Sequence, residues 1–144
     1  MCRGARVLCR EVFVGAADMM SDESLENVVV ASYLGGMAAG NPGVVHQVSA
    51  GLWVVLHMPH GKTNCYGLSV LGDVYPEEHK EFQEMLSRNG ISLPKGLCAN
   101  LAPAQYQALY EGSIIHEKPL TNALGPEFKS ILSEERLTAM FRQM

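Results

Sequence analysis

Five histidines, His46, His57, His60, His79 and His116, are the residues of this chain that most invite a chemical reading. Neutral imidazole serves as a metal ligand, a general base or a hydrogen-bonded core group. Three of the five fall within Asn27 to Gly61, a stretch without a single Asp, Glu, Lys or Arg. A lone histidine on an apolar helix face is ordinarily a satisfied core residue. Two or three in one uncharged segment raise the case for a shared task. His46 falls in a predicted helix, and His60 at the N-terminal edge of the next, after a turn fixed by Pro59. That placement lets two imidazoles converge on one point, as nitrogen ligands of a divalent transition metal must.

The neighbours admit two readings each. Pro59 argues against a helical face shared by His57 and His60, so His57 either touches a metal or substrate or sits outside them in a supporting role. Lys62 and Asn64 either contact a polar substrate or help cap the helix they open. Cys65 and Cys98 read as small core fillers, and Trp53 as a core residue. His79 reads as a solvated residue on an exposed helix, and His116 as a last-turn residue complementing a helix dipole.

The elements that must position these groups read as helices. Arg3 to Val14 places Ala5, Leu8, Cys9, Val12 and Phe13 in a 3.6-residue rhythm. Ser21 and Asp22 cap a helix from about Glu23 to Ala39, ended by Gly40-Asn41-Pro42-Gly43. Val44 to Leu56 is predicted as the next, preferred over a strand because its apolar positions do not alternate. One more follows from about Gly61 to Leu71. Pro76 opens Glu77 to Arg88, which Asn89-Gly90 stops. Pro103 opens a helix to about His116 or Glu117, Lys118 to Pro126 is expected as loop, and Ser133 caps a last helix to Phe141. The expectation is an all-α helical bundle, with residues 1–144 as a single domain.

Composition narrows the functions. The 144 residues carry 11 Lys and Arg against 15 Asp and Glu, and the basic residues form no cluster, so nucleic acid is a poor partner. The charge-free stretch is interrupted by Gly35, Gly36, Gly40, Pro42, Gly51 and Pro59, which argues against a membrane span and for a buried, closely packed helix pair. Cys2, Cys9, Cys65 and Cys98 make no Cys-x-x-Cys pair and no signal segment precedes them, which fits reduced thiols in a cytoplasm. Charged residues reach only 18%, below the roughly 25% of a typical domain, so some surface is expected to meet a partner.

Gly43-Val44-Val45-His46, followed after thirteen residues by the histidine of Pro59-His60-Gly61-Lys62-Thr63-Asn64, resembles the metal-binding segment of the iron-containing (group III) alcohol dehydrogenases. Val30 to Met37 and Gly61 to Cys65 resemble most the branch that oxidises the 8-hydroxyl of 3-deoxy-manno-octulosonate. The resemblance runs from about Arg6 to Met144. It implies the C-terminal all-helical domain of such an enzyme, with His46 and His60 as the last two histidine ligands of Fe(II) or Zn(II), and with NAD(P) and a small alcohol or sugar acid bound in the complete enzyme.

The departures from the family are specific. Its first two ligands, an Asp and a His one helical turn apart, lie too far upstream to fall within this chain. Its Gly-rich cofactor turn is also missing, since Gly35-Gly36 lies inside a predicted helix. Many members carry a further histidine where this chain has Ala50. The resemblance therefore implies a truncated, inactive portion lacking the N-terminal NAD(P) domain. A different class of function stays open beside it: a non-enzymatic helical module that docks on a partner or on itself. A third reading has two chains each give His46 and His60 to one four-histidine site in a symmetric dimer.

Overall fold

A computed structural model describes residues 2–38 and 43–144. Among them the backbone forms nine α-helices, one π-helical turn and no strand. The helices are α1 (Cys2–Arg10), α2 (Asp22–Ala38), α3 (Val44–Leu56), α4 (His60–Val70), α5 (Pro76–Arg88), α6 (Pro103–Ile114), α7 (Glu117–Leu124), α8 (Phe128–Ile131) and α9 (Glu134–Gln143), with the π-turn at Glu11–Gly15. The all-α expectation holds. The expected end of α2 at Gly40-Asn41-Pro42 lies outside the described residues.

Local chemistry explains most boundaries. α5 starts on Pro76, whose missing N–H costs nothing in a first turn, and Gly90 beyond its end adopts φ 62°. Ser133 Oγ accepts from the Arg136 N–H at 3.3 Å to start α9. Two expectations fail. Arg3 to Val14 is not one α-helix, because its last turn widens into the π-turn. Lys118 to Pro126 is not a loop: Pro119 occupies the third position of α7, where no intrahelical N–H bond is forfeited, and only Pro126 lies beyond its Gly125 cap.

The chain clusters into two compact units. The first joins the amino-terminal stretch through α2 to Gln83–Ile91. In it α1 packs on α2, with Gly4 beneath Leu34 and Gly35 beside Ala5. Arg88 Nη2 donates to the carbonyls of Gly15 and Ala16 at 3.2 and 2.7 Å, and Asn89 Nδ2 to that of Phe13 at 3.4 Å.

The second unit is built around α3, which packs against α4, α6 and α7. Val44, Val48 and Leu52 of α3 are wholly buried with Leu71, Leu109, Leu120 and Phe141, each worth about 1.5–3 kcal/mol on burial. Gly51 of α3 meets Gly112 and the Leu109 carbonyl of α6, a crossing that only small residues allow. One face of the charge-free stretch is thus buried along α3. Its α2 portion departs from expectation, since Val29, Tyr33 and Met37 are exposed, as is Trp53. No helix among the described residues is long and apolar enough to cross a membrane.

Candidate metal-ligating histidine pair

His46 lies in the first turn of α3, and His60 is the first residue of α4. Their joint is short. His57 ends α3 in the left-handed conformation (φ 52°, ψ 31°), its N–H donating to the Trp53 carbonyl at 3.0 Å. It is the one non-glycine residue with positive φ among the described residues. Pro59 then stands at the N-cap of α4 with no side chain capping the helix. Thr63 steadies that first turn from inside: its Oγ1 donates to the His60 carbonyl at 2.8 Å and its N–H to the Pro59 carbonyl at 3.2 Å.

This turn delivers the two imidazoles to each other. His60 Nε2 stands 3.2 Å from His46 Nδ1, the ring centroids are 4.7 Å apart, and the planes meet at 76°. Such a contact has two chemical meanings. Without a cation, one of the two nitrogens carries a proton and donates it to the other, the tautomers being interchangeable. With a cation, each nitrogen offers it a lone pair. Zinc–nitrogen bonds of about 2.0–2.1 Å at a tetrahedral angle place two ligand nitrogens about 3.3 Å apart, so the pair fits one edge of a metal site.

Burial lowers the His46 pKa below its ordinary value, and the charges of His60 and His116 lower it further. His46 is therefore held neutral, the form that ligates metal. The influence of His116 corrects the sequence reading of that residue. It stands at the N-cap of α7, not in the last turn of α6, so it does not complement a helix C-terminus. The described residues contain no group of three or more His, Cys, Asp or Glu side chains that could hold a metal ion. The pair fits the group as two ligands of a larger set.

The other candidates separate. Asn64 is neither a helix cap nor free, because Ser49 Oγ donates to its Oδ1 at 2.6 Å. Ser49, wholly buried, also stands 2.8 Å from the His46 carbonyl. Lys62 and His57 have exposed side chains. His79 is not simply solvated: it is half-buried over Gly72, with Nε2 3.1 Å from the Ser69 carbonyl. Cys98 is buried, as expected of a core filler, and Cys65 is half-buried.

Two polar residues beside the pair escaped the sequence reading. Ser49 is one. Gln47 is the other, 1% exposed with Oε1 lacking a hydrogen-bond partner. Their only signal was polarity inside an apolar helix. No protein-family model matches the chain.

Proposed function

We propose that this chain is the metal-ligating helical part of an iron-type, NAD(P)-dependent alcohol or sugar-alcohol dehydrogenase, with 3-deoxy-manno-octulosonate oxidised at its 8-hydroxyl as the favoured substrate. The observation that carries it is the 3.2 Å approach of His46 Nδ1 and His60 Nε2. Both residues were singled out by sequence motif alone, and their nitrogens meet at the spacing of ligands on one metal. Fe(II) or Zn(II), when bound, supplies Lewis-acid stabilisation of negative charge on a substrate oxygen.

The chain's own part is to present two imidazoles to one point. α3 carries the half-buried His46 between Val44 and Val48, which are wholly buried on either side of it in sequence. Thr63 orders the turn that carries His60. The remaining ligands and the NAD(P) site come from outside these residues in this proposal, so the chain alone does not catalyse. Zinc titration of the 144-residue chain tests the reading: weak binding is expected, lost in His46→Ala and in His60→Ala. Binding indifferent to both substitutions, or NAD(P)-dependent alcohol oxidation by this chain alone, overturns it.

A second reading rests on a different observation. Val29, Tyr33 and Met37 recur on one side of α2 at spacings of four and are 68%, 68% and 54% exposed. They support a helical interaction module, non-enzymatic or alongside the first role. Sedimentation showing a strict monomer at all concentrations removes self-association from it.

A further inference from the structure

We infer that Ser49 and Asn64 are a positioning pair that holds His46 and His60 at ligand spacing, an inference that rests on the metal-ligating reading above. Three contacts step along α4 against the first turns of α3. His60 meets His46, Asn64 meets Ser49, and Gly67 lies against the Val45 carbonyl so closely that a β-carbon would stand 3.1 Å from its oxygen. The last contact limits how near the helices come. It has no direction, so by itself it does not set how α4 is turned against α3.

The Ser49–Asn64 bond is the contact with direction. Its 2.6 Å separation is that of an O–H···O bond, which assigns the single hydroxyl hydrogen to Asn64 Oδ1. Ser49 is three residues from His46 and Asn64 four from His60, so each lies one turn from its imidazole on the same helix face. The hydroxyl also abuts the His46 carbonyl. A one-residue slip of α4 moves Asn64 by about 1.5 Å and 100°, which breaks this bond and swings His60 off His46 together. Ligand distances tolerate only about 0.2 Å.

The test uses the full 144-residue chain with Ser49→Ala, Asn64→Ala and Asn64→Asp, beside His46→Ala. Zinc is the probe. Ser49→Ala and Asn64→Ala are expected to weaken zinc binding about ten- to a hundredfold while remaining folded, and Asn64→Asp, which keeps the acceptor, to retain it. A metal-free measurement runs in parallel: the proton–proton cross-relaxation between the two imidazole rings is expected in the parent chain and in Asn64→Asp, and absent in both alanine variants. If that ring contact survives both alanine substitutions, or if neither alanine variant folds, the inference is wrong. If His46→Ala binds zinc as the parent does, the metal-ligating reading fails instead.

Discussion

Gly51 of α3 sits directly against the Leu109 carbonyl of α6, with no room between them for a β-carbon. The Ser113 hydroxyl crowds the same position, donating to the Leu109 carbonyl at 2.8 Å. Backbone cannot yield as a flexible side chain does, so Gly51→Ala forces the two helices apart. A loss of about 1–3 kcal/mol is expected. Urea unfolding followed by circular dichroism measures it, and an unchanged midpoint would show that the crossing is looser than described.

His46 makes stability depend on pH in a defined direction. Its folded pKa lies below the ordinary value, mainly through burial and then through the charges of His60 and His116. The unfolded chain therefore takes up the proton first. The stabilisation is whole above the unfolded value of about 6.5 and is lost as pH falls through the folded one. Melting temperatures that decline from pH 7 to pH 5, less steeply in His46→Ala, are the expected result. Imidazole titration by NMR gives the companion check: His60→Ala moves His46 part of the way back up, burial and the charge of His116 keeping the rest.

Cys98 is wholly buried, and burial pushes its thiol up to about 11. The thiolate is the reactive form. Dithionitrobenzoate at pH 8 is expected to leave Cys98 unmodified in the folded chain and to label it in urea. Labelling at full rate without denaturant counts against the buried position.

His57 closes α3 at φ 52°, a conformation that costs a residue with a β-carbon about 1–2 kcal/mol. His57→Gly removes that cost while loosening the unfolded chain, for a net gain of about 0.5–1 kcal/mol. A rise in melting temperature is expected, with zinc binding unaffected. Loss of zinc binding in His57→Gly would give His57 a part in the site that its place at the cap does not.

Much of this architecture was legible wherever a boundary rests on short-range chemistry. Pro76 and Asn89-Gly90 bracket α5 because a proline start and a left-handed glycine stop act within one turn, and Ser133 works the same way for α9. α7 was hidden by Pro119, a helix breaker everywhere except the first turn it occupies. The π-turn was hidden because five residues are too few to tell its period from that of an α-helix. Within the site, His46, His60 and Asn64 stood out by type and spacing, whereas Ser49, the partner of Asn64, did not, since a bond between two helices leaves no periodic trace in either one. The exposure of Trp53 follows from a similar blindness: its i+7 spacing from His46 puts it on the side of α3 away from Val48 and Leu52, which the apolar character of the helix concealed.

The hydrogen bonds from Arg88 and Asn89 to the carbonyls around the π-turn span 72 to 76 residues of sequence. On a ribosome, α1 and α2 emerge first, yet the segment that completes their unit is synthesised long after them. The usual order, in which the amino-terminal part settles while the remainder is still being made, is reversed for this unit. Until Gln83–Ile91 is out of the exit tunnel, the nascent chain carries a helical hairpin whose π-turn carbonyls still lack their Arg88 and Asn89 donors.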